Sequence, residues 1–173
     1  MSQFTKLLLA AIVGAFVLTA SAAADSVVYL FRHAEKQSDG TRNPSLTEAG
    51  VVRAAKLADH LKGTALTTVY STDYKRTQET AAPVAAAKHL TVTSYDPRKL
   101  GEFAEQLKKE AGPILVVGHS NTTPHLVSLL SGEKHEALEE YQYDHLYMVT
   151  LSDDGKASVT ITYIEPRTPK ADH

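Results

Sequence analysis

Val27-Val28-Tyr29-Leu30-Phe31-Arg32-His33-Ala34-Glu35-Lys36 is an apolar run that stops abruptly at an arginine and a histidine, two groups that water normally claims. The β-branched and aromatic residues before the break read as a buried strand. In open α/β sheets, ligands sit outside the C-terminal ends of the strands. Arg32 and His33 are therefore expected at a strand tip, where side chains can meet a ligand. A strand that merely ends in two solvated polar residues has the same letters, so the rest of the chain has to decide.

Two further stretches repeat the pattern. Residues 66–70, Leu-Thr-Thr-Val-Tyr, form a β-branched run that leads into Ser71 and Arg76. Residues 114–118, Ile-Leu-Val-Val-Gly, are continuously apolar, as a strand covered on both faces should be, and end in His119-Ser120-Asn121. Residues 90–95 give one more strand, followed by Asp96-Pro97.

Helical patterns fill the intervals. Thr47 or Ser45 can cap a helix that carries Val51, Val52, Ala55, Leu57, Ala58 and Leu61 and stops at Gly63. Asp73 can cap a second helix that runs to Lys88, with Pro83 as a local awkwardness. Residues 99–111 are amphipathic, with Leu100, Phe103, Ala104 and Leu107 inward. A last helix begins near Thr122 or Thr123, tolerates Pro124 in its first turn and ends at Gly132. Residues 133–144 are charged and read as a surface loop. Two strand patterns, 146–151 and 157–163, flank a Ser-Asp-Asp-Gly-Lys turn and form a hairpin. The expectation is an α/β three-layer sandwich, with a mostly parallel central sheet flanked by helices and a C-terminal antiparallel hairpin.

Composition narrows the class. The chain has 173 residues, of which 43% are hydrophobic and 22% charged, enough for one domain with a real core. A net charge of −2 argues against a nucleic-acid partner, which would need a broad basic face. With no cysteine, disulfides, thiolate metal sites and cysteine nucleophiles are excluded. Residues 1–24 have the layout of a signal peptide: one early lysine, an apolar run over 7–20, then Ser-Ala-Ala-Ala with cleavage positions after Ala22 or Ala24. That run is shorter than a bilayer span prefers. The expectation is export to the periplasm or medium, with no stable membrane insertion once the leader is cut. A domain over residues 25–165 and a flexible tail over 166–173 follow.

If the strands are parallel, Arg32, His33, Ser71, Arg76 and His119 all open on one sheet edge. Two arginine forks suit phosphate oxygens, and a histidine nitrogen can attack phosphorus in line. At this point the chain resembles the histidine phosphatase superfamily, the phosphoglycerate-mutase-like fold. The resemblance covers nearly all of the chain after the leader. It rests on Arg32-His33-Ala34-Glu35, on Leu46-Thr47 with Gly50, on Ser71 with Arg76 and Thr80, and on Gly118-His119-Ser120. Many members have glycine where this chain has Ala34.

The resemblance implies that His33 is the nucleophile and becomes phosphohistidine. Arg32 and Arg76 would bind phosphoryl oxygens, and His119 would stabilise the transferring group. Ser120 could add donors, and Asn43 stands where many members place a phosphate-contacting residue. The acid that protonates the leaving oxygen is expected at Asp96, with Glu102 and Glu35 as alternatives. Compact members that act on phosphohistidine have no dedicated acid. No metal or other cofactor is called for, because cationic side chains neutralise the charge. His125 follows His119 by six residues, not the four of a helical metal pair. Tyr141, Tyr143 and Tyr147 read as hairpin and loop packing. The expected protein is a monomeric, exported phosphatase with a small phosphorylated substrate, such as a sugar phosphate or lipopolysaccharide-core phosphate. Two alternatives stand beside it: a phosphohistidine phosphatase, and a non-catalytic phosphate-binding envelope module.

Overall fold

The computed structural model describes residues 26–168. The expected leader and its cleavage positions lie outside the described residues. Ten elements alternate as the sequence suggests: β1 (Ser26–Arg32), α1 (Glu48–His60), β2 (Thr68–Ser71), α2 (Lys75–Ala87), β3 (Val92–Ser94), α3 (Leu100–Leu107), β4 (Ile114–Gly118), α4 (Thr122–Ser131), β5 (His145–Leu151) and β6 (Ala157–Tyr163). They build one six-stranded sheet in the order β3-β2-β4-β1-β5-β6. The first four strands of that order run parallel; β5 and β6 pair antiparallel, β5 directly on β1. The fold is the expected α/β sandwich with its terminal hairpin.

Period-2 alternation sorts the strand residues into two cores. Val28, Leu30, Ile114 and Val116 face α3 and α4, where Phe103, Leu107, Leu126 and Leu130 cover them. Phe31, Val69, Leu115 and Val117 face α1 and α2, where Leu57, Leu61, Ala81 and Val84 cover them. Both faces of the central strands are thus dry, which is why β4 reads as an unbroken apolar run.

Three local expectations need correction. The buried stripe of α1 is Gly50, Arg53, Ala54 and Leu57, while Val51 and Val52 are exposed. Arg53 displaces the valines because a half-buried carboxylate awaits it: its Nε and Nη2 grip Glu35 at 2.7–3.1 Å. In α2, Asp73 is not the cap. The first helical N–H, on Lys75, instead donates to Asn43 Oδ1 at 2.8 Å from a distant loop, and Asp73 accepts from Ser94. As expected, α2 runs through Pro83 without a break and is capped at Lys88. Finally, Pro166–Thr168 are tied to the body and do not trail away: Pro166 O accepts from Arg53 Nη1, while Arg167 and Thr168 donate to the buried carboxylate of Asp144.

Candidate active site

Register brings the two histidines together. Arg32 closes β1 opposite Gly118, which closes the parallel neighbour β4. The next residue on each strand is a histidine, and the His33 N–H donates to Gly118 O at 2.9 Å. The two imidazoles meet edge to face, with centroids 5.6 Å apart. β2 pairs with the other side of β4, with Ser71 opposite Val117, so Thr72 reaches the same rim. Its Oγ1 lies 3.0 Å from His119 Nε2.

The His33 ring is almost fully buried, and its tautomer follows from its neighbour. Nδ1 is 2.8 Å from Ala34 O, and a carbonyl can only accept. Nδ1 therefore carries the proton and Nε2 keeps a free lone pair. Burial, first of all, pushes the pKa of His33 down to about 3; the positive charges of Arg32 and Arg76 push the same way. Burial and the same two arginines bring His119 down to about 4. Both rings are neutral at pH 7 while nothing anionic is bound.

Arg32 is 1% exposed. Its Nη1 donates to three carbonyls of the loop before β5: Glu139 at 2.9 Å, Glu140 at 3.1 Å and Gln142 at 3.0 Å. Its guanidinium stacks 4.1 Å from the Tyr143 ring centroid. Arg76, in the first turn of α2, stacks 4.5 Å from the Tyr74 ring, which also packs against His119. Arg32 Nε and Arg76 Nε are buried donors with no partner among the described residues. α2 links the parts: Thr80 Oγ1 accepts from the Ala34 N–H at 3.0 Å and donates to Arg76 O at 2.6 Å. A groove of about 290 Å³ opens beside them, lined by Tyr74, Arg76, Pro97, Arg98, His119 and Asn121.

The structure therefore gathers Arg32, His33, Arg76 and His119. The other expected residues are placed differently. Asp96 is held by Arg98 in a two-point ion pair, at 2.9 Å from both Nε and Nη2. Those hydrogen bonds keep its carboxyl at about 2, so it carries no proton to give at neutral pH. Asp96, expected as the proton donor, is placed here as an ion-pair acceptor for Arg98. Glu35 is locked to Arg53, and Glu102 pairs with Lys99 on the exposed surface. Asn43 uses its Oδ1 on the N-terminus of α2, leaving its amide N–H groups free to donate. Ser120 stands at the turn into α4, half-buried, and its carbonyl accepts from Leu138. Ser71 is fully buried and bonds Thr72 O.

Thr72, Tyr74, Tyr143 and the 139–142 carbonyls were not expected at the site. Tyr74 stands between Ser71 and Arg76, a signal of sorts; nothing in the sequence reveals that a loop more than a hundred residues away would wrap Arg32. Among the described residues no group of three or more His, Cys, Asp or Glu side chains could hold a metal ion.

A family model for the histidine phosphatase superfamily, branch 1, matches residues 28–105, the segment that carries Arg32, His33 and Arg76. Over residues 28–105 the chain carries the signature of the histidine phosphatase superfamily. A curated superfamily relative, a probable phosphoglycerate mutase GpmB of Yersinia pestis, is 36% identical over 77 residues, 41% of this chain and 35% of that protein. The chain thus spans about a third of the length of the curated relatives it matches. Solved structures share the fold more fully. The protein histidine phosphatase SixA, complexed with tungstate, superposes with a TM-score of 0.65 over 81% of this chain and 97% of its own, at 21% identity. A putative alpha-ribazole-5'-P phosphatase from Escherichia coli gives 0.68 over 80% and 96%, at 18% identity.

Proposed function

We propose that this chain is a phosphatase that hydrolyses phosphomonoesters through a covalent phosphohistidine on His33. The observation that carries the reading is a pair of buried, unpartnered guanidinium N–H groups, on Arg32 and Arg76, beside an imidazole held neutral with its Nε2 lone pair free. Buried donors without acceptors are rare, and two of them on arginines whose charges both act on one nucleophile call for an oxyanion. SixA, which shares the fold, was solved with tungstate, a tetrahedral oxyanion.

In the first step His33 Nε2 attacks phosphorus as the P–O bond to the leaving group breaks. Arg32, Arg76 and His119 balance the charge on the three remaining oxygens. An incoming dianion favours a proton on His119, whose depressed pKa rises beside it. In the second step water attacks the phosphorus, the P–N bond breaks, and inorganic phosphate leaves. The departing alkoxide also needs a proton. Asp96, Glu35 and Glu102 are all committed to cationic partners. That observation favours a second reading in which the substrate has an easy leaving group, phosphohistidine or an aryl phosphate. The leader-like N-terminus supports action outside the cytoplasm, where phosphorylated sugars of the envelope would be substrates.

The test is turnover of an aryl phosphate by purified protein, with an acid and a base quench. A phosphohistidine survives base and not acid. His33→Ala is expected to lower turnover by on the order of a thousandfold or more and to leave no trapped phosphoprotein. Full activity in that variant removes His33 as nucleophile. Tight phosphate binding by the wild type without turnover would instead support a non-catalytic phosphate-binding module.

A further inference from the structure

Two buried arginines in this chain meet carboxylates, and they use them differently. Arg53 presents its Nε–Nη2 edge to Glu35: Nε is 3.1 and 2.9 Å from the two oxygens, and Nη2 is 2.7 Å from one of them. Its Nη1 goes to the carbonyls of Ile164 and Pro166. Arg32 divides its donors the same way, with Nη1 committed to three carbonyls. Its outer edge, however, is half filled. Nη2 donates to Glu140 Oε2 at 3.1 Å, and Nε has no partner among the described residues. The Nε–Nη2 edge is the fork that takes two oxygens of a carboxylate or a phosphoryl group. Glu140 occupies one tine.

The other Glu140 oxygen lies 3.8 Å from Lys36 Nζ, and the carboxylate is near enough to Arg76 for its charge to act there. Glu140 therefore sits against Arg32 and near Arg76, the two guanidinium groups proposed to bind the phosphoryl group. Its side chain is 73% exposed, whereas that of Arg32 is 2% exposed. The arginine is fixed by backbone carbonyls, and the glutamate can swing into water without loosening the loop.

We propose that the Glu140 carboxylate is an internal anion standing where a substrate phosphoryl oxygen binds Arg32, so that every phosphorylated ligand must displace it. The contact sets a threshold for entry. A phosphomonoester dianion brings two charges against the one it evicts. A phosphodiester monoanion or a simple carboxylate brings one and gains nothing in the exchange. Glu140 thereby selects monoesters over singly charged competitors, at the expense of affinity for both.

The proposal rests on Arg32 being a phosphoryl ligand, and the experiment separates the two. Inorganic phosphate is titrated by calorimetry, at one pH and ionic strength, into wild type, Arg32→Ala, Glu140→Gln, Glu140→Ala and Glu136→Gln. Glu136 is an exposed residue paired with Lys134, so its variant removes the same charge elsewhere on the loop. Both Glu140 variants are expected to tighten phosphate by about tenfold, the scale of one charged hydrogen bond released from competition. Glu136→Gln should change it by about twofold or less. In competition with an aryl phosphate, the gap between phosphate and a dialkyl phosphate should narrow in Glu140→Gln. Phosphate binding that neither Glu140 variant tightens overturns the proposal alone. So does equal tightening in Glu136→Gln, which would reduce the effect to overall charge. A wild type that binds no phosphate, indistinguishable from Arg32→Ala, overturns the reading of the site and the proposal together.

Discussion

A histidine that attacks phosphorus has to keep a lone pair at working pH, and His33 keeps one by being buried. Water would hold its ring protonated well into the mildly acidic range; here burial and two neighbouring guanidinium groups favour the neutral form. The same arrangement has a consequence for stability. Both His33 and His119 have native pKa values, about 3 and about 4, below the ordinary imidazole value of 6.5. Between those limits the unfolded chain binds more protons than the folded one, so stability rises with pH through that window and falls as pH drops through it. Thermal unfolding is expected to show a melting temperature that declines from pH 7 to pH 5, with the decline clearly flatter in the double variant His33→Gln, His119→Gln. An identical slope in the double variant would mean that these rings are not the depressed groups. Saturating phosphate should also flatten the slope in wild type, because the bound dianion restores the value of protonating His119.

The loop that carries His33 is held by helices more than by its own strand. α1 enters with Thr47, which accepts the Gly50 N–H at 3.1 Å as its cap, while the Thr47 N–H donates to Glu35 O at 2.9 Å. Gly50 then passes so close to Glu35 that an added Cβ would fall 2.2 Å from the Glu35 carbonyl oxygen. No real contact is that short, and the obstacle is backbone, so it cannot rotate aside. Gly50→Ala should therefore push α1 away from residues 34–36 and tilt the His33 ring. The expected result is a loss of about 1–3 kcal/mol in denaturant unfolding and a larger proportional loss in kcat/KM for an aryl phosphate. Gly63→Ala meets nothing within 4 Å and serves as the control; it should leave both unchanged. Equal behaviour of the two variants would show that the approach of α1 to Glu35 does not position the nucleophile.

Across the molecule, what could be read from the sequence is what is local or periodic. The alternation of strands and helices, the buried character of β4 and the hairpin turn are written in runs of neighbouring residues, and so is the break at Arg32-His33. The parallel order then brings His33, His119 and Arg76 to one edge without further information. What stayed hidden is pairing across long distances. Asn43 caps α2 in place of Asp73, Arg53 is drawn inside by Glu35, and three carbonyls after α4 fix Arg32; each depends on a partner that no periodicity announces. Asp96 stands in the expected place, but Arg98, two residues on, turns it into an ion-pair acceptor. The site that results is a cluster of positive or polar donors held apart from one another by the fold, with only Glu140, among the described residues, as a counter-charge on Arg32. Such a cluster repels itself, and a bound oxyanion relieves it. A ligand that binds only the folded chain stabilises it by about 2.7 kcal/mol at a hundred times its dissociation constant, which for a chain of this size is several degrees. Phosphate or vanadate is thus expected to raise the melting temperature steadily with the logarithm of its concentration. Chloride at matched ionic strength should do little. Arg76→Ala, which removes one of the two unpartnered donors, should abolish most of the rise while leaving the ligand-free melting temperature unchanged or higher, because the repulsion goes with the guanidinium. A rise that persists undiminished in Arg76→Ala would place the anion away from the histidines, where the geometry offers it no nucleophile.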